Sequence, residues 1–171
     1  IISELKNYSD NVEIIKRDNP LIIKLEGKKF SIWMQDMNPA GAKRDNINEG
    51  RTQISRKDVD KQKVYKNNGY QPIFLGFFLN KVFQAWDPEP VLAFQGKTIC
   101  SLYAPISNEK KVIQTGPTYF HQESKLLARE VKHPVLKIDD LCIYLLNHSN
   151  IHHMHFNKSK DIQENNLQAL I

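Results

Sequence analysis

The sequence predicts a mainly β domain with short helices, an α+β chain whose strands curl into a closed or half-closed barrel. Three observations predict it. Short runs of β-branched and aromatic residues recur along the chain, each bounded by Gly, Pro, Asn or Asp. Helical periodicity is confined to a few short segments. Nowhere is there the regular βαβ rhythm of a parallel sheet. At 171 residues the chain fits one domain over 1–171, with its core at about 20–148 and an extension at each end. A hydrophobic content of 40% and a charged content of 25% are ordinary for a globular chain and exclude wholesale disorder.

Ile2 to Tyr8 suits a first helix, and Val12 to Ile15 is a short β-type run. Leu21 to Leu25 and Phe30 to Met34 read as strands joined by a turn at Gly27. Asn38-Pro39-Ala40-Gly41 breaks the second of them, because Pro removes a donor and Gly frees the backbone. From there to Gly50 only Ala42 and Ile47 are apolar, so the segment has little to bury and is predicted as an exposed arm. Arg51 to Ile54 alternates polar and apolar as a half-buried strand does. Ser55 then caps a helix through Asp58, Val59, Lys63 and Val64, which stops at Gly69. Ile73 to Trp86 is almost wholly apolar and is predicted as a buried hairpin with Asn80-Lys81 at its tip. Asp87-Pro88-Glu89-Pro90 is predicted as a loop. Lys97 to Tyr103 and Val135 to Ile138 follow as strands. Asp139 caps a helix from Asp140 to about Asn147, with Leu141, Ile143, Tyr144 and Leu145 as its apolar residues. Lys158 to Ile171 is polar and helix-compatible, with Ile162, Leu167 and Leu170 at roughly helical spacing.

No apolar run approaches the roughly 20 residues of a membrane span, and no signal peptide is visible. Cys100 and Cys142 stand far apart and suggest neither a disulfide framework nor a metal pair, which favours a reducing cytoplasm. A first residue Ile1 suggests a piece of a longer protein. Catalytic signals are weak. Glu-x-Lys pairs, half of a common nuclease metal site, occur at Glu4/Lys6, Glu26/Lys28, Glu109/Lys111 and Glu130/Lys132, and none sits on an obvious strand with an upstream Asp in reach. Gly96-Lys97-Thr98 ends like a phosphate-cradling loop, but Val91 stands where its first glycine belongs. His152, His153 and His155 form a dense cluster. In an extended segment His153 and His155 would share a face, yet no third ligand stands nearby, so an exposed polar turn is predicted. Cys142, between Leu141 and Ile143, reads as a small core residue. The expectation is a domain with no catalytic residue, no metal and no cofactor.

Twenty-four Lys and Arg against 19 Asp and Glu give a charge of +5. Where the polar residues fall matters more than the total. Lys43, Arg44, Asn46, Asn48, Arg51 and Gln53 are of the types that read base edges, Arg on guanine, Asn and Gln on adenine, and all can hold phosphates. A second polar stretch, Gln95-Gly96-Lys97-Thr98, is followed by Ser101 and Tyr103. Glycine there would let the backbone approach a phosphate, with Thr98 and Ser101 as donors.

The order of these pieces carries a resemblance. A strand leads into an Asn- and Gly-containing basic arm ending in Glu49-Gly50-Arg51-Thr52-Gln53-Ile54. A helix, an apolar Leu75-Gly76-Phe77-Phe78 strand, Val82-Phe83-Gln84-Ala85-Trp86-Asp87 and Gly96-Lys97-Thr98 follow. Over roughly residues 20–148 this resembles the B3-type pseudobarrel DNA-binding domains of bacterial restriction enzymes, open β-barrels, and within them the front domain of LlaJI-type GTP-dependent restriction subunits. The resemblance implies site-specific binding of double-stranded DNA by two arms in the major groove, here about Asp36–Gln53 and Gln95–Tyr103. It also implies an AAA+ GTPase motor in the same full-length chain and a separate nuclease subunit as partners. Ile99-Cys100 depart from the family's more charged second arm.

The expected DNA-binding residues are therefore Lys43, Arg44, Asn46, Asn48, Arg51, Gln53, Lys97, Thr98, Ser101 and Tyr103, with Lys110 and Lys111 as second-rank phosphate contacts. Two rivals stand beside this reading. One is a small metal-dependent nuclease built on the Glu-x-Lys pairs. The other is a protein-interaction adaptor whose apolar hairpin is an interface instead of a core.

Overall fold

Adjacent apolar residues decide the architecture. Ile32-Trp33, Phe74-Leu75, Ala85-Trp86 and Val135-Leu136 are neighbours in sequence, and neighbours on a strand leave on opposite faces. Strands of that kind must be covered on both sides. The computed structural model, which describes residues 1–39, 49–78, 81–124, 127 and 129–153, has that arrangement.

Helix α1 (Ile2–Tyr8) precedes strands β1 (Val12–Lys16), β2 (Leu21–Leu25) and β3 (Lys28–Asp36). A two-residue strand β4 (Asn38–Pro39) and β5 (Glu49–Ser55) follow, then α2 (Arg56–Asn67) and the hairpin β6 (Gln71–Phe78) and β7 (Val82–Trp86). Next come α3 (Pro88–Leu92), β8 (Ile99–Pro105), α4 (Ser107–Thr115), β9 (Thr118–Ser124), β10 (Arg129–Lys137), a single 3-10 turn and α5 (Leu141–His153). Seven strands form one sheet in the order β1-β2-β3-β6-β7-β10-β9, and three form a second in the order β4-β5-β8. No ladder joins the two sheets among the described residues, so the fold is mainly β with short helices and its barrel stays open.

The large sheet is a partition between two cores. Ile32, Leu75, Ala85 and Leu136 face α1 and α5, where they meet Leu5, Leu141 and Tyr144. Trp33, Phe74 and Trp86 face the other way, against Ile54 and Leu102 of the small sheet, Val59 of α2 and Val91 of α3. Val135 joins Phe78, Ala104 and Val112 in a third cluster on that side. Gly76 is required by packing, since a Cβ there would lie 2.4 Å from the Trp86 indole and 2.5 Å from the Met37 sulfur. The apolar hairpin is therefore core, which removes the basis of the adaptor reading. Asn80 at its tip lies outside the described residues.

Several expectations need correction. Asp87-Pro88-Glu89-Pro90 opens a helix instead of a loop. The Asp87 carboxylate accepts the Glu89 N–H at 2.9 Å, and Pro in the first turn lacks only a donor that would have had no helical partner. β3 and β6 run parallel, Ile32 opposite Ile73, with β4, β5 and α2 forming the crossover. The strand expected at Val135 to Ile138 begins six residues earlier and pairs with β9, and neither β9 nor α4 was expected. The strand expected from Lys97 starts at Ile99.

The last helix continues to His153, and Ile143 on it is only half-buried. His152 is thus no exposed turn residue. It is 4% exposed, with Nδ1 2.8 Å from the Lys132 carbonyl and Nε2 3.0 Å from the Tyr144 hydroxyl. His153 is on the exposed helix end, and His155 lies outside the described residues, as does 158–171. Cys142 is a buried free thiol, and Cys100 is half-buried and also free. Among the described residues no helix is long and apolar enough to cross a membrane.

Candidate nucleic-acid interface

The small sheet is built from alternation. Along β5 the side chains of Thr52 and Ile54 turn inward, while Arg51 and Gln53 turn outward. Along β8 Leu102 and Ala104 are buried, and Ser101 and Tyr103 face out. The antiparallel register sets Arg51 opposite Tyr103 and Gln53 opposite Ser101. Directly opposed residues share a face with Cβ atoms about 5 Å apart, so four predicted site residues from two distant segments form one square. The Gln53 amide donates to the Ser101 hydroxyl at 3.4 Å. Asn38, paired with Arg51 from the other side, extends the row.

The Ser55–Ile99 end of this face is tied down. Ser55 caps α2 by accepting the Asp58 N–H at 3.1 Å. Burial works against the Asp58 carboxylate, but hydrogen bonds from Ser55 and Lys61 and the charges of Lys61 and Lys57 outweigh it and hold its pKa below the ordinary value. Arg56 was not singled out in the sequence. Its backbone N–H donates to the Thr98 carbonyl at 2.8 Å and its guanidinium to the Phe94 carbonyl at 2.7 Å, which pins the loop before β8. An Arg just after a helix cap is too common a signal to reveal that role.

Among the described residues, most of the two expected arms is sheet. Asn38, Pro39 and Glu49 to Gln53 are paired strand residues, as are Ser101 and Tyr103. Lys97 and Thr98 are exposed in the loop outside the square. Lys43, Arg44, Asn46 and Asn48 lie outside the described residues. Gly96 has another use than a close approach to phosphate, because the Phe94 ring occupies the place of a Cβ, at 2.1 Å. Lys110 and Lys111 are exposed on α4. Among the described residues Arg51 makes no ion pair, which leaves its guanidinium available to a ligand. Glu49, opposite Pro105, is the acidic member at the end of the face.

One Glu-x-Lys pair does fall on a strand, Glu130/Lys132 on β10. Its Glu130 Oε1 lies 2.9 Å from Nδ1 of His121. Among the described residues no three His, Cys, Asp or Glu gather as metal ligands would.

Residues 28–122, from the start of β3 into β9, match the Methylase-associated X1 family. The chain belongs to the Methylase-associated X1 family. Membership links it to restriction–modification systems. The matched span of this Methylase-associated X1 chain contains the whole small sheet and the core hairpin, and ends before β10. No curated protein and no solved structure matches it.

Proposed function

We propose that this chain is the target-recognition module of a restriction–modification system, a site-specific binder of double-stranded DNA. The observation that carries the reading is the outward square of Arg51, Gln53, Ser101 and Tyr103 on a sheet packed rigidly against the core. Arg51 would meet a guanine edge through paired N–H donors, and Gln53 an adenine. Lys97, Thr98 and Ser101 would hold backbone oxygens. Lys43, Arg44, Asn46 and Asn48, between the paired residues Pro39 and Gly50, would enter the major groove beside them. The open two-sheet architecture and the family link support a B3-like mode of binding. In this reading the module is cytoplasmic and works without a cofactor or a catalytic centre of its own. A GTP-hydrolysing AAA+ motor in the same full-length chain and a separate nuclease subunit supply the rest of the reaction.

The test is a selection from a randomised duplex pool, followed by fluorescence anisotropy on the enriched site. Binding without cleavage in magnesium is expected. About four to six phosphate contacts imply a log–log salt slope of roughly −4 to −5. A slope near zero, or cleavage abolished by one acidic substitution, contradicts the proposal.

A further inference from the structure

The barrel is open where the edge strands β8 and β9 come near each other, and there a cavity of about 330 Å³ enters the space between the sheets. It lies at the small end of the roughly 300–1,000 Å³ typical of small-ligand sites. Trp86 and Phe94 supply flat aromatic walls, and His133, Ser101, Tyr103 and Gln122 supply polar groups. Among the described residues no Lys, Arg, Asp or Glu lines it, so its chemistry suits a neutral, planar occupant better than a phosphate.

His133 is the decisive group. It is 2% exposed, and its ring is held by stacking on Phe120 with centroids 5.9 Å apart. Burial, reinforced by His152 and His121, pushes its pKa down to about 3, so the imidazole is neutral. Nδ1 accepts the Asp87 N–H at 3.1 Å, which leaves the ring proton on Nε2. Among the described residues that buried Nε2–H has no partner, and neither does the buried Trp86 indole N–H. Buried polar groups are satisfied in the great majority of cases, and a fixed donor without an acceptor points to one supplied from outside.

Ser101 and Tyr103 belong both to this cavity and to the outward square, so the cavity opens beside the proposed DNA-reading face. We infer that the cavity accepts a nucleobase swung out of the duplex bound on that face, stacked against Trp86 and Phe94 with a ring nitrogen or carbonyl accepting from His133. The inference rests on the duplex-binding reading. The sugar–phosphate backbone stays outside, toward Arg51 and Lys97, because no cation among the described residues lines the cavity to receive it. Extruded bases are held in this way, between aromatic or apolar walls and fixed hydrogen-bonding groups.

The experiment places 2-aminopurine at each position of the selected duplex and adds the whole chain. One position is expected to brighten several-fold as its base leaves the stack. Gln122→Trp plugs the exposed mouth from outside the reading face. It should abolish the brightening, leave the melting temperature unchanged and lower duplex affinity less than tenfold. His133→Asn, checked by a melting curve, should weaken the preference for one base at that position. Duplex binding with no bright position overturns this inference alone. Failure to bind any duplex overturns the recognition reading along with it. Free nucleosides that raise the melting temperature without a bright position identify a site for free bases, and that also overturns it.

Discussion

The hairpin β6–β7 and the ladder β5–β8 are both antiparallel pairs, yet one is buried on both faces and the other on one. In the hairpin every side chain from Ile73 to Phe78 and from Val82 to Trp86 is buried. In the ladder burial alternates, Thr52 and Ile54 in, Arg51 and Gln53 out. The difference separates two jobs. A strand covered on both sides offers no outer row to a partner and chiefly holds shape, Trp86 alone reaching the cavity between the sheets. A strand covered on one side has a fixed inner row that aims an outer row, and recognition needs that aim.

Substitutions should therefore fail in different ways in the two regions. Trp86→Ala should cost about 3–5 kcal/mol of stability, because a large buried aromatic leaves a cavity, and most of the loss of DNA binding should follow unfolding, the remainder being the stacking wall of the cavity. Urea melts paired with anisotropy check it. Equal loss of binding at full stability would move Trp86 from core to interface.

The core should also be sensitive to acid. Burial holds His152 near pKa 4 and His133 near 3, against an ordinary value of 6.5. The unfolded chain takes up these protons first, so their stabilising effect is complete above about pH 6.5 and is lost as pH falls toward 4. The melting temperature should drop between pH 6.5 and 5, and His152→Gln should flatten that drop.

On the ladder, Arg51→Ala should leave stability within about 0.5 kcal/mol but cost roughly 1–3 kcal/mol on the selected duplex and much less on random DNA. Anisotropy on the two duplexes reads the split. Lys97→Ala should have the smallest effect, weakening both duplexes by similar factors and making the salt slope shallower by about one unit. An Arg51 variant that melts early, or a Lys97 variant that loses only the selected site, would blur the distinction between scaffold and reader.

The same contrast explains what was legible in the sequence. Continuous apolar runs and the Ser55 cap are local signals, so the hairpin and α2 were found. Parity along β5 was read from its alternation, which needs only the period of two, whereas Ser101 and Tyr103 on β8 were named for residue type alone. That the two rows oppose each other depends on a register between segments about 50 residues apart, and no local rule supplies it. Strand β9 was missed because Thr118–Ser124 alternates weakly and takes its place from pairing with β10. The proline pair of α3 read as a breaker because its capping Asp87 was not weighed. His152 looked solvated because its partners, Tyr144 and the Lys132 carbonyl, are 8 and 20 residues away. The cavity draws on α3, β8, β9 and β10 together, so only the assembled fold discloses it.

Pro39 and Gly50 are paired with each other, and Met37 is bonded to the core through its N–H and the Phe77 carbonyl at 2.8 Å. These two paired residues, on either side of 40–48, thus share one rung of the small sheet. Lengthening a connection whose ends already meet is thermodynamically mild, about 0.6 kcal/mol for each doubling. A longer or shorter connection grafted between these two residues should therefore leave the melting temperature of the barrel nearly unchanged.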